Sequence, residues 1–320
     1  MTAAPLSTAF RSLVGLGGVF TSAKSFEDNP VLSSRWLNQA GLHAARVTWA
    51  HRVAASRRAR LAPLVSAENR AAFARDGYIL KPDFAPDLGT LVAEVKSYRA
   101  GAREMIQGDT LTRKIALDKT ALDAMPTLRA LVESAAWRNL LAYVGGMTAR
   151  PVQFIQTIAT HITDAPPDPQ TYFHADTFHP AMKAWLFLND VEGDVPPFTF
   201  VPGSHRLTPS RLDWERQQAL IAAQARDEHT RQGSFRIDAA ALAAMGLPEP
   251  RQFRVKANTL IVADTFGYHA RGPSAGPAMR VEIWAYGRRA PFFPAPPRIP
   301  LRFGADAYHP REAVSAFDPA

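Results

Sequence analysis

The chain has 320 residues, 47% hydrophobic and 21% charged; these ordinary globular proportions exclude a disordered or fibrous chain, and the length suits one β-sandwich or barrel with helical additions. It has no cysteine, which excludes disulfide frameworks, thiolate metal sites, iron–sulfur clusters and cysteine nucleophiles, so any metal must be held by His, Asp or Glu. The net charge of +8 is concentrated in residues 1–62, where eight Lys/Arg face only Glu27 and Asp28, and with no recognised binding module beside it this excess does not indicate a nucleic-acid partner.

The first apolar run, Leu13 to Phe20, is broken by Gly15, Gly17 and Gly18 and falls short of the roughly 20 residues that span a bilayer. It is a poor export signal, because no basic residue precedes Arg11 and Thr21-Ser22-Ala23 only weakly imitates a cleavage site. A cytoplasmic location is expected. Residues 34–60 lack proline and carry Leu42, Ala45, Trp49 and Val53 at helical spacing, which predicts a helix whose tryptophans belong to the core. Arg46 and Arg60 fall on or beside that stripe and suit packing of long arginine stems against the body. Such a basic segment is ordinarily a solvated helix face; the alternatives are peripheral contact with an anionic membrane surface and attraction of an anionic substrate. Residues 1–65 are therefore read as a basic helical extension and 66–320 as one domain.

Ser66 can cap a helix that the Asp76-Gly77 turn ends before a short strand at Tyr78-Ile79-Leu80. Further helices are predicted from about Leu88 to Met105 and from about Thr127 to Val144, the latter stopped by Gly145-Gly146. From Pro151 onward the period changes. Short runs rich in β-branched and aromatic residues, at 152–162, 182–188, 198–202, 253–263 and 279–286, predict strands. With few helices between them, they argue for an antiparallel sandwich or jelly roll. Thr208-Pro209 opens a polar helix to about residue 228, so 206–250 is read as a helical insertion, either a lid or rim over a site or plain surface helix. The proline-rich stretch 290–300 reads as extended wrapping.

Tyr172-Phe173-His174-Ala175-Asp176 places His and Asp two apart, so at a strand end both side chains leave one face and can reach a common ion. His269, after the strand Thr259 to Val262 and a turn through Asp264 and Gly267, supplies a third ligand. Two imidazoles and one carboxylate on one side of an ion leave the opposite positions open, as non-haem Fe(II) requires to bind a keto acid and O₂. Eleven positions on, Arg280 begins a strand; its planar guanidinium can donate two parallel hydrogen bonds to a carboxylate. Alternation puts Glu282, Trp284 and Tyr286 on the same face, so Glu282 could equally be a structural partner of Arg280. Arg271 is the reserve candidate. Gln153 and Gln156, polar on a presumed strand, are candidates for the substrate pocket. His179, five residues past His174, could line it too, or lie on the surface.

Three segments follow one another in the order of the phytanoyl-CoA dioxygenase family: His174-Ala175-Asp176, Lys183 to Val191, and Phe200-Val201-Pro202-Gly203-Ser204-His205-Arg206. Downstream, Ala263 to His269 and Arg280 resemble that family's distal histidine and cosubstrate arginine, and Phe73 to Tyr78 is similar to its N-terminal signature. The resemblance spans about residues 70–287. It implies an α+β, mainly β, double-stranded β-helix (a cupin-like jelly roll) binding Fe(II), 2-oxoglutarate and O₂. It also implies cosubstrate contacts for Trp185 and for Lys114 in Thr112-Arg113-Lys114-Ile115, and a structural role for His205 in the barrel rim. The expected activity is hydroxylation of an aliphatic C–H bond in a lipid-like, acyl-CoA-linked or other small molecule, the substrate being anionic or lipid-linked. Related halogenases replace the carboxylate ligand with a small residue, so Asp176 favours hydroxylation. The alternatives are a non-oxidative cupin-type metalloenzyme, an isomerase or hydrolase, against which Arg280 argues, and a metal-free binding module.

Overall fold

The structure is a computed structural model, in which residues 15–148, 150–287, 290–293 and 313–319 are described. Most of the expected proline-rich wrapping, 294–300, lies outside them. The chain is α+β and mainly antiparallel β. One sheet has seven strands in the order β1-β8-β5-β10-β4-β3-β2 and the other has three, β7-β6-β9. In the large sheet these are β1 (Tyr78–Lys81), β2 (Arg103–Gln107), β3 (Thr110–Ala116), β4 (Val152–Thr160), β5 (Met182–Phe187), β8 (Leu260–Asp264) and β10 (Ala278–Gly287). The small sheet holds β6 (Phe198–Phe200), β7 (Arg251–Phe253) and β9 (His269–Arg271). β4 pairs with β10, far along the chain, and β10 in turn with β5; these crossover pairings make the arrangement a jelly roll.

Alternation along the strands divides the molecule into layers. Val281, Ile283 and Ala285 of β10, with Leu260 and Val262 of β8, join the helices through Leu91, Leu128, Trp137 and Leu141 in the main core. Each such fully buried aliphatic side chain contributes roughly 1.5–3 kcal/mol. On the opposite face, Trp185, Phe187, Ile261 and Trp284 meet Phe198, Phe200 and Phe253 of the small sheet in a second, aromatic cluster. The candidate site lies on this inner side.

The helices differ from the sequence expectation in instructive ways. The predicted helix 34–60 is two, Arg35–Gln39 and Leu42–Leu61, broken at Gly41, whose φ of 102° suits a residue without Cβ. Its tryptophans are not core: Trp36 is 72% and Trp49 52% exposed. Arg46 is buried instead, donating to the carbonyls of Val19, Thr21 and Ala23 and lying 4.1 Å from the Phe178 ring centroid. The helix expected to reach Met105 stops at Ser97, and Met105 belongs to β2, which turns through Gly108 into β3. Ser134 caps a new helix, Ala135–Gly145, and so divides the helix predicted over 127–144. Thr208 caps Pro209–Ile221 as expected, but that helix stops short of residue 228, running into a single 3-10 turn, Ala222–Gln224, before a separate short helix, Glu228–Arg231. Among the described residues no helix is long and apolar enough to cross a membrane.

Candidate metal centre

His174 sits between two extended neighbours. Its N–H donates to the carbonyl of His269 and its carbonyl accepts from His269 N–H, both at 3.0 Å, while on its other side it bridges to Arg236 of the insertion. Two residues on, Asp176 N–H donates to the Thr265 carbonyl at 3.0 Å. This backbone stitching puts His174, Asp176 and His269 on one face, where one ligand atom from each lies within 4.8 Å of the others. All three are buried.

The hydrogen bonds select which ring nitrogens face inward. His174 Nδ1 is 2.8 Å from the Tyr172 carbonyl and His269 Nδ1 is 3.0 Å from that of Gly267. A carbonyl only accepts, so each Nδ1 carries a proton, and in the neutral ring it is Nε2 that offers the lone pair. Those Nε2 atoms lie 3.9 Å (His174) and 3.6 Å (His269) from Asp176 Oδ1. The His269 Nε2 is buried with no partner, an expensive condition unless something outside the protein satisfies it. Burial, then the neighbouring His269 and Arg236, hold the His174 pKa well below the usual imidazole value. Burial pushes the Asp176 carboxyl up, but Lys183 and then His269 outweigh it and hold the group well below the usual carboxylate range. Two neutral imidazoles and an ionised carboxylate are the donor set a divalent transition metal takes.

Lys183 is the participant that sequence reasoning missed. Its Nζ lies 2.7 Å from Asp176 Oδ2 and 2.8 Å from Oδ1, holding the carboxylate in place by contact with both of its oxygens. Alternation gave the signal, since Lys183 shares a face with Trp185. Lys24, from the N-terminal segment, adds a hydrogen bond to the Asp176 carbonyl at 2.7 Å.

A cavity of about 760 Å³ opens beside these residues, lined by His174, Asp176, His269, Lys183, Arg280, Arg271, Lys114, Trp185, Gln156 and Trp284, among others. Arg280 is buried, donates to the Pro196 carbonyl, and holds its Nε 2.9 Å from Glu282 Oε2 without the alignment of a hydrogen bond. Glu282 Oε1 accepts from Gln156 at 2.6 Å. Arg271 is tied to Asp168 and to Thr112 Oγ1, and burial lowers its pKa. Trp185 stacks on Phe198 with centroids 4.1 Å apart. Lys114 lies 4.0 Å from the Trp284 ring centroid. Gln153 is not among the lining residues; Val152, Phe154 and Gln156 are, and a residue of opposite parity on β4 points away. His179 also stays out of the cavity, yet is not on the surface: it is buried, with Nδ1 2.9 Å from the Pro180 carbonyl. His205 is buried against the Phe73 ring.

No family model matches the chain and no curated protein matches it. Its outline is similar to several solved structures. One is the epimerase SnoN in complex with Fe³⁺, α-ketoglutarate and nogalamycin RO, at 18% identity over 72% of this chain and 87% of that one, TM-score 0.45. A second is HygX from Streptomyces hygroscopicus with nickel and 2-oxoglutarate bound, at 15% identity over 70% and 87%, TM-score 0.45. AviO1 from Streptomyces viridochromogenes Tue57 is similar at 21% identity over 73% and 98%, TM-score 0.42. Likenesses this distant leave the function to be read from the chain's own residues.

Proposed function

We propose that this chain is an Fe(II)- and 2-oxoglutarate-dependent oxygenase that hydroxylates an aliphatic C–H bond of a small molecule. The observation that carries this reading is the buried convergence of two imidazole rings and one carboxylate, with a buried arginine lining the same cavity. His174, Asp176 and His269 would hold the iron. With 2-oxoglutarate and O₂ it supplies an oxidation in which one oxygen atom enters the substrate and the other enters succinate as CO₂ leaves.

The rest is positioning by the chain. The carbonyls of Tyr172 and Gly267 fix both imidazole tautomers, and Lys183 holds Asp176 ionised and oriented. Arg280 offers a guanidinium to the far carboxylate of 2-oxoglutarate, with Glu282 and the Pro196 carbonyl fixing its orientation. Trp185 and Phe198 form an aromatic wall that keeps water from the centre. Asp176 occupies with a carboxylate the position that a halogenating enzyme would leave to chloride, in keeping with hydroxylation.

The test is succinate release from 2-oxoglutarate with Fe(II) and O₂ across candidate small molecules, beside a His174→Ala control. Succinate formation that depends on a candidate and vanishes in the control is the expected result. Iron binding without any succinate would sink the oxygenase reading in favour of a non-oxidative metalloenzyme.

A further inference from the structure

The charge of Arg280 is already met inside the protein. Its Nε lies 2.9 Å from Glu282 Oε2, both side chains being buried. Nη1 donates to the Pro196 carbonyl, which leaves Nη2 for the cavity that Arg280 lines. Glu282 is held in turn from its other oxygen, Oε1, which accepts from Gln156 Nε2 at 2.6 Å. Strand register sets Glu282 opposite Gln156 and Gln156 opposite Lys114, and the charge of Glu282 reaches Lys114 as well as Arg280. One carboxylate thus serves the corner where the two cations meant for the cosubstrate stand. Arg271, the other buried arginine of the cavity, has its own counter-charge in Asp168.

2-Oxoglutarate would bring a second carboxylate to a guanidinium that already has one. Like charges repel strongly away from water, and a neutralised cation attracts a further anion less than a bare one does. The contact between Nε and Oε2 lacks the alignment of a hydrogen bond, so what Glu282 adds to the orientation set by Pro196 is chiefly charge. We infer that Glu282 sets how tightly this site takes its cosubstrate: it is a fixed counter-charge behind Arg280 that steadies the arginine in the empty site and holds down affinity for the far carboxylate. This inference rests on the oxygenase reading, because it takes Arg280 and Lys114 as cosubstrate groups. Glu282 is a positioning residue and acts through Arg280, since Arg280, Gln156 and Lys114 line the cavity and Glu282 does not. An orienting role alone predicts the opposite sign: losing an orienting group weakens 2-oxoglutarate, whereas losing an opposing charge tightens it.

The experiment is calorimetric titration of the full chain loaded with Mn(II), using 2-oxoglutarate and 2-oxopentanoate, the same keto acid without the far carboxylate. Glu282→Gln is expected to bind 2-oxoglutarate about tenfold more tightly than wild type, the order of one charge–charge interaction at a partly buried site, and 2-oxopentanoate within about twofold. The metal-induced rise in melting temperature should match wild type. Glu282→Asp keeps a counter-charge for folding but draws it back from Nε; it should fall between the two, and it decides the matter if the glutamine variant does not fold. The inference is overturned if 2-oxoglutarate binds the folded variants no more tightly than wild type, or if both keto acids tighten alike. Metal-dependent 2-oxoglutarate binding that the variants leave unchanged sinks this inference alone. Absence of such binding from every form of the chain refutes the oxygenase reading and the inference with it.

Discussion

Replacing His269 with glutamine separates a metal ligand from a structural residue. The wild-type Nε2 is buried without a partner, so its removal forfeits no protein hydrogen bond; only the Nδ1 contact to the Gly267 carbonyl is lost, about 1 kcal/mol. A metal held only by the folded state at a hundred times its Kd stabilises by about 2.7 kcal/mol. With an unfolding entropy of about 2.1 cal/mol/K per residue, a chain of 320 residues has about 0.67 kcal/mol/K in all, so that binding raises Tm by about 4 °C. The metal-free His269→Gln protein should melt within about 2 °C of wild type. Scanning calorimetry with and without Mn(II) or Fe(II) under nitrogen should show the metal-induced rise in wild type and its loss in the variant. A variant that keeps the full rise would refute the three-ligand reading, because the ion would then be held elsewhere.

Arg280→Gln should leave the metal-induced rise in Tm intact while weakening 2-oxoglutarate binding by about 10- to 100-fold, the worth of a charge-assisted hydrogen bond; titration of the metal-loaded protein checks it. The buried chain His43–Glu215–Arg211, with contacts of 2.9 and 3.0 Å, predicts that Glu215→Ala strands a buried guanidinium and costs about 3–5 kcal/mol, seen as a shift in urea midpoint at unchanged slope. His205 has its pKa pushed down to about 3 by burial, then by Arg58 and Arg206. In the unfolded chain it binds a proton below about 6.5, which the folded chain refuses, so stability falls as pH drops from about 6.5 toward 3. At pH 5 the loss from this residue is about 2 kcal/mol, and His205→Gln should flatten the acid limb of a stability–pH curve.

Much of the centre is visible in the order of residues alone. His174 and Asp176 share a face because side chains two apart on an extended segment must, and the turn through Gly267 delivers His269 opposite them, where the two backbones bond to each other. The same alternation separates Gln156 from Gln153, which differ by an odd number along β4 and so cannot share a face. Local pattern did not reach what long-range pairing decides. Met105 lies in a stretch with helical spacing, yet pairing with Thr112 makes it a strand. Trp49 lies on the apolar stripe of its helix but stays half exposed, while Arg46 finds three carbonyls from residues 19–23 and goes inside. The Lys183–Asp176 pair joins side chains whose separation only the turn between them fixes.

The reach of residues before the family-like region has a practical meaning. Lys24 bonds the backbone of Asp176, its own carbonyl lies where a Cβ on Gly233 would collide, and Arg58 forms a 2.7 Å ion pair with fully buried Asp264, five residues ahead of His269. Trimming the protein to the stretch that resembles the phytanoyl-CoA dioxygenase family would therefore cut struts from beneath both segments that carry His174, Asp176 and His269.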